Sequence, residues 1–264
     1  MTMIKRNIYY SSYTLRLREP FGTSHGTRDS TDGIVVGISD GDRIGYGEAF
    51  VPPYYDETPA EILAFLDLVD IDRLLDFESI AKAVSYVDGL EPGNIAAKAA
   101  IDIALHDLTG KRRETTVGAM YGAGEGAFET SFTIGYDSLD TMVRKAREAN
   151  GFSILKIKLT GENDLEIVSA FASVTDQKLF VDVNQGWEDV DEAIEKTNRL
   201  IEAGVLLIEQ PFKKGLEKKA KRLTDETSIP IIADEDVFQV SDIRRLSKCY
   251  DGINIKLTKC GGIY

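Results

Sequence analysis

The sequence predicts an α+β unit followed by a parallel β/α barrel of the TIM type, and two observations predict it. The first is a set of short apolar runs in the second half, each ending in a charged residue. These are Leu155-Lys156-Ile157-Lys158, Val181-Asp182-Val183-Asn184, Leu207-Ile208-Glu209-Gln210-Pro211 and Ile232-Ala233-Asp234-Glu235, with Asn254-Ile255-Lys256-Leu257 as a fifth. The charged residues stand 22 to 27 positions apart, which is one strand, one loop and one helix per step. The second observation is a change of rhythm near residue 127. Strands and then helices are grouped before it, and the two alternate after it.

The elements follow in order. Residues 3–18 are rich in Ile, Tyr, Thr and Leu and read as a strand. Pro20 to Asp32, with Gly22, Gly26 and several Ser, Thr and Asp residues, reads as a loop. Gly33 to Ser39 and Ile44 to Phe50 read as strands joined by a turn at Ser39-Asp40-Gly41-Asp42. Thr58 to Val69 reads as a helix, with Thr58 as N-cap, Pro59 in the first turn and Glu61 behind it. A second helix is expected from Asp76 to Val87. Glu91-Pro92-Gly93-Asn94 opens a longer one through about Arg113, with Ile95, Ala99, Leu105 and Leu108 on its apolar face.

From Glu129 the expected strands are 129–134, 153–158, 178–183, 205–208, 230–233 and 252–256. The expected helices lie near 138–149, 163–174, 188–203, 214–226 and 239–248. This alternation implies a parallel sheet with right-handed crossovers. The domains are therefore placed at 1–126 and 127–264. Six strands are counted, whereas a full barrel has eight and takes about 250 residues. The barrel is expected to be incomplete, through truncation, an open form, or a second copy that fills the gap between exposed edge strands.

Composition narrows the partners. The chain has 264 residues and a net charge of −13, which disfavours nucleic acid and anionic membranes. No segment has the roughly 18 apolar residues of a membrane span, and residues 1–10 lack a signal-peptide core. Cys249 and Cys260 match no zinc or redox spacing and read as reduced thiols. A cytoplasmic homo-oligomer acting on a small molecule is the expectation.

The strand-end charges suggest the chemistry. In a parallel barrel the C-terminal strand ends ring one mouth, so these residues would converge. Asp182, Glu209 and Asp234 there would make an all-oxygen site for a hard cation, Mg2+, with Mn2+ as a substitute. Each could instead be a helix-capping acid. Asn184 shares the face of Asp182 and would support the ligands, and Glu235 adds acidity there. Glu235 and Asp236 also read as loop or capping residues. Lys156 and Lys158 lie two apart on one strand and so share a face. Each is expected to lower the other's pKa, as is burial, which would suit a base. Lys256 would approach from the opposite side. Two lysines facing one metal-bound substrate suit removal of a proton α to a carboxylate and its return on the other face.

With these residues the chain resembles the enolase superfamily, in its muconate-lactonising subgroup. The likeness lies in Lys156-x-Lys158, Asp182-x-Asn184, Glu209-Gln210-Pro211, Asp234-Glu235 and Lys256. Within that superfamily it is similar to dipeptide epimerases of the L-Ala-D/L-Glu type. Ser131-Phe132-Thr133-Ile134-Gly135, Asp182-Val183-Asn184-Gln185-Gly186-Trp187, Lys259-Cys260-Gly261-Gly262 and Ala96-Ala97-Lys98-Ala99-Ala100-Ile101-Asp102 carry that similarity. The resemblance implies an N-terminal capping domain whose loop near Phe21 to Arg28 covers the pocket. It implies substrate contacts from Thr133, His25 and Arg28, and a dipeptide as substrate. It also implies an acidic motif beyond an eighth strand for the dipeptide's ammonium group, to which nothing here corresponds. Muconate cycloisomerase or o-succinylbenzoate synthase chemistry is the alternative on the same scaffold, and a truncated, inactive metal-binding chain is another. His106 reads as a packed or capping helix residue, Trp187 as packing near the barrel mouth, and Gly122 to Gly126 as a linker.

Overall fold

The structure is a computed structural model that describes residues 6–24, 26–50, 57–124 and 126–264. The chain clusters into two units, one of 1–17, 30–126 and 256–264, the other of 18–29 and 127–255.

The first unit is built on the antiparallel strands β1 (Asn7–Thr23), β2 (Gly26–Ser39) and β3 (Ile44–Phe50), in that order. Pro20 to Thr23 and Gly26 to Asp32 are therefore strand where the composition reads as loop. Ser, Thr and Gly do not favour a strand by themselves, but the long β1–β2 pairing gives their backbone groups partners. Residue His25 falls outside the described residues.

Helix α1 (Pro59–Leu66) starts where expected. Thr58 accepts from the Glu61 N–H, and Glu61 accepts from the Thr58 N–H, a reciprocal cap. The helix expected at Asp76 to Val87 is α3 (Ile80–Asp88), which starts later than expected, and an unexpected short helix, α2 (Ile71–Leu75), precedes it. Each has its own cap, Asp70 accepting from Arg73 N–H and Ser79 from Lys82 N–H, and these side chains compete with a continuous helix. Helix α4 (Ile95–Arg113) is followed by the short α5 (Val117–Met120), which the sequence reading missed. Ala96, Ala97, Ala100 and Ala104 of α4 are buried with Ile34, Val36 and Ile38 of β2 and Phe65 of α1 in one apolar core. Small residues on both sides let α4 approach β3 closely. A β-carbon on Gly47 would collide with the Ala100 carbonyl, and one on Gly45 with that of Ala104.

The second unit alternates as predicted: β4 (Ser131–Ile134), α6 (Leu139–Glu148), β5 (Ile154–Lys158), α7 (Asp164–Ala172), β6 (Lys178–Asp182), α8 (Val190–Glu202), β7 (Val205–Glu209), α9 (Glu217–Glu226), β8 (Ile231–Ala233), α10 (Val240–Leu246) and β9 (Gly252–Ile253). The six strands pair in parallel in sequence order. Leu155, Ile157, Val181, Ile208 and Ile231 point into a core that Met142, Phe171, Leu200, Leu223 and Leu246 of the helices close. Segment 18–29 groups with this unit, and Tyr136 N–H donates to the Gly22 carbonyl at 2.9 Å. The last element, α11 (Leu257–Cys260), groups with the first unit. Among the described residues no helix is long and apolar enough to cross a membrane.

Candidate metal centre

The parallel register places the charged strand ends side by side. Lys158 pairs with Asp182, and Asp182 with Glu209, while Asp234 follows β8 directly. Strand partners in register share a face, so three adjacent strands deliver their polar ends to one place. Asp182, Glu209 and Asp234 are 0%, 5% and 1% exposed. One carboxylate oxygen from each lies within 4.8 Å of the others. Three buried carboxylates this close repel one another strongly, and cations must offset the repulsion. All-oxygen, anionic, closely grouped donors are the set that suits Mg2+, so the residues present fit that ion.

The two lysines of β5 reach the same group. Lys156 Nζ donates to both oxygens of Glu209, each at 2.7 Å, and lies 2.8 Å from Asp182. Lys158 Nζ donates to Asp182 Oδ2 at 2.6 Å. The expected lowering of the Lys156 pKa is not what the geometry produces. Burial alone would lower it, but Asp182 and Glu209 more than offset that, and the pKa rises. The spacing along the strand is visible in the sequence, whereas the carboxylates come from two other strands. Burial would raise Asp182, yet Lys158 and Lys156 carry it well below the usual carboxylate range. Glu209 goes the other way. Burial first, then the Asp182 charge, push it up to about 7 although Lys156 pulls it down.

Supporting contacts surround these groups. Asn184 N–H donates to Asp182 Oδ1 at 3.0 Å, and its side-chain amide donates to Glu235 at 3.3 Å. Burial, then Asp234 and Asp182, raise Glu235. Asn254 Nδ2 donates to Glu209 Oε1 at 2.9 Å, a contact the sequence did not signal because Asn254 lies 45 residues on. Asn184, Gln185 and Gln210 hold positive φ angles of 45°, 70° and 37°, strained for side chains of this kind and typical of functional sites.

Gln210 is fully buried and joins the ends of β7 and β8. Its Oε1 accepts from Asp234 N–H at 2.8 Å and Asp236 N–H at 3.3 Å. Its Nε2 donates to the Phe212 carbonyl at 3.0 Å and to Asp236 Oδ2 at 2.9 Å. Tyr250 hydroxyl also donates to Asp236 Oδ2, at 2.6 Å, and Gly215 N–H to Oδ1 at 2.8 Å. Asp236 is thus 1% exposed and corrects its reading as a solvated or capping loop residue. Its partners come from three separate segments. Trp187 does pack at the ends of the strands, and its Nε1–H donates to buried Asp164 at 2.7 Å. His106, 0% exposed, is packed on α4, with Nδ1 2.8 Å from the Asp102 carbonyl and Nε2 2.6 Å from the Tyr121 hydroxyl.

The remaining candidates are placed as follows. Thr133 of β4 pairs in register with Lys156. Arg28 lies on β2 with its guanidinium 5.9 Å from the centre of the Phe21 ring. Ser24, in the same segment, donates to the Asn184 carbonyl at 2.5 Å. Lys256 is not on a strand, as 252–256 was expected to be. β9 ends at Ile253, and Lys256 is the N-cap of α11 in the first unit. The Lys256 carbonyl accepts from the Lys259 and Cys260 N–H groups at 2.9 and 3.1 Å, so the chain turns into α11 where the strand would have continued.

Comparison with known proteins agrees with this geometry. Residues 5–122 match the mandelate racemase / muconate lactonizing enzyme N-terminal domain, and residues 139–264 the enolase C-terminal domain-like family. The chain is 39% identical over 261 residues to the L-Ala-D/L-Glu epimerase of Bacteroides thetaiotaomicron, covering 98% of this chain and 68% of that protein. It is 30% identical over 266 residues to a chloromuconate cycloisomerase of Cupriavidus necator, covering 93% and 70%. It superposes with a TM-score of 0.90 on the dipeptide epimerase from Enterococcus faecalis V583 complexed with Mg and L-Leu-L-Tyr, at 32% identity, covering 99% of this chain and 76% of that one.

Proposed function

Because this chain belongs to the mandelate racemase / muconate lactonizing enzyme family of the enolase superfamily, whose matched relatives are isomerases, we propose that it epimerises a dipeptide of the L-Ala-D/L-Glu kind. The observation that carries the reading is the buried Asp182, Glu209 and Asp234 group with Lys156 and Lys158 bonded to it. The 39% identity to an epimerase supports the dipeptide as substrate. Asp182, Glu209 and Asp234 would hold Mg2+, which supplies positive charge against the substrate carboxylate as its α-proton leaves.

Lys158 takes the α-proton on one face of the substrate, and Lys256 returns a proton on the other. A lysine must be neutral to accept a proton, so Lys158 acts once its hold on Asp182 is relaxed. Lys156 lies between Asp182 and Glu209, where it keeps a positive charge beside the substrate carboxylate. Asn184 and Asn254 orient Asp182 and Glu209 through the bonds described. Thr133, beside Lys156 in the sheet, with Arg28 and His25, would meet the rest of the substrate.

The test is incubation with a library of L,L-dipeptides in D2O with Mg2+, read by mass spectrometry. Particular dipeptides gain about one mass unit as the α-hydrogen exchanges, and Lys158→Ala and Lys256→Ala each abolish inversion. Inversion that persists in either variant removes that lysine from the mechanism. No exchange in any dipeptide, with turnover of a muconate, supports cycloisomerisation, for which the Cupriavidus necator relative speaks.

A further inference from the structure

We propose that Gln210 is a positioning residue for the metal centre, and that with Asp236 and Tyr250 it sets the distance between Glu209 and Asp234. The inference rests on the reading of Asp182, Glu209 and Asp234 as metal ligands.

Gln210 follows one ligand in the chain, and its side chain grips the backbone of another. It adjoins Glu209, and its Oε1 accepts from the N–H of Asp234 itself. The backbone makes a parallel link, Gln210 N–H donating to the Ile232 carbonyl at 2.9 Å. A change in the gap between β7 and β8 would therefore have to break both bonds. The amide is chemically suited to the place. One oxygen accepts from two N–H groups, of Asp234 and Asp236, while the nitrogen donates to a carbonyl and a carboxylate. A carboxylate here would face Asp236 with a like charge and no donor, and an apolar side chain would leave buried N–H groups without partners. Asp236 in turn is held by Tyr250 and Gly215, so the clip is anchored to the loop after β7 and to Tyr250, two residues before β9.

The backbone supports the same conclusion. Gln210 has φ of 37° directly before Pro211, where an extended conformation is favoured. Holding a residue other than glycine there is strained. That conformation lets Glu209 end β7 while the next side chain turns toward β8. Strain held at a buried strand end beside a proposed ligand points to a role at the site. The signal in the sequence is the Glu209-Gln210-Pro211 run, but spacing alone assigns Gln210 no partner.

The experiment measures Mn2+ binding by loss of the free-ion electron paramagnetic resonance signal, alongside thermal unfolding without metal. The proteins are the wild-type chain, Glu209→Gln, Gln210→Met and Tyr250→Phe. Wild type binds one ion and Glu209→Gln loses it. Gln210→Met weakens binding on the order of 10-fold to 100-fold, and Tyr250→Phe by up to about 10-fold, with a changed spectrum of the bound ion. The effect appears at temperatures where both variants are fully folded. A purely structural role lowers the unfolding temperature but leaves Mn2+ affinity and spectrum unchanged, and that result overturns the proposal. If Gln210→Met does not fold, Tyr250→Phe decides by the same criterion. Wild type that binds no Mn2+, or binding that survives Glu209→Gln, refutes the metal reading itself, and the positioning role with it.

Discussion

Replacing Trp187 with Phe tests how much one donor, the indole N–H, stabilises a buried carboxylate. Trp187 and Asp164 are 3% and 2% exposed. The indole N–H donates to Asp164 Oδ2 at 2.7 Å, and Gly161 N–H serves the other oxygen at 3.1 Å. Phe keeps most of the ring but has no donor, so Oδ2 loses its bond while the carboxylate stays buried. A hydrogen bond to a charged group contributes about 1.5–3 kcal/mol, and the space left by the smaller ring adds about 1 kcal/mol. The expected loss is about 3 kcal/mol near neutral pH.

The pH dependence has a definite sign. Burial already holds the Asp164 pKa above its usual value, with Trp187 and Lys196 pulling it back. A carboxyl whose folded pKa exceeds its unfolded one destabilises above the folded pKa, and the cost fades as pH falls through it. Removing the Trp187 donor raises that pKa further. The penalty of Trp187→Phe should therefore be largest above the folded pKa of Asp164 and shrink as pH falls through it. Urea unfolding followed by far-ultraviolet circular dichroism measures it, since Trp187 is the only tryptophan and its fluorescence is lost in the variant. In a double-mutant cycle with Asp164→Asn the two substitutions should couple by about 1 kcal/mol or more. A loss under about 1 kcal/mol, or one independent of pH, would refute the assignment to an unpaired charge.

Three further outcomes follow from the same structure. Gly47→Ala places a β-carbon against the Ala100 carbonyl of α4 and should cost about 3 kcal/mol or more in thermal unfolding; an unchanged melting temperature would mean that α4 and β3 do not pack this closely. For Asp40, burial would raise the pKa, but Arg112 and the Arg43 and Asp42 N–H groups lower it to about 2. Its contribution is thus present above an unfolded pKa of about 3.9 and lost as pH falls through about 2. The stability gap between wild type and Asp40→Asn should close over that interval, and a gap that is constant with pH would contradict it. Mg2+ at about 100 times its dissociation constant should stabilise the chain by about 2.7 kcal/mol and leave Glu209→Gln unmoved in calorimetry; equal shifts in both would place the ion elsewhere.

Much of this was legible before any coordinates. The first four apolar runs with charged ends marked β5 to β8 within one or two residues, because strand length, loop and helix impose a regular step. Asp182, Glu209 and Asp234 could be grouped because register in a parallel sheet brings successive strand ends together. Failures occurred where composition misleads or where one cap competes with another. The polar segments Pro20 to Thr23 and Gly26 to Asp32 are strand, and Asp70 and Ser79 start separate helices.

The sequence by itself determined the alternation of strands and helices after residue 127 and that Lys158, Asp182, Glu209 and Asp234 stand at strand ends, since both depend on local periodicity. Only the tertiary structure decided what those charges meet. Lys156 holds its proton more tightly because Asp182 and Glu209 arrive from other strands. Asp236 is a buried clamp because Gln210, Gly215 and Tyr250 converge on it. Lys256 leaves the strand because β9 ends early. The physical reason is common to the first two: a buried polar group takes its properties from its partners, and those partners lie far away in sequence.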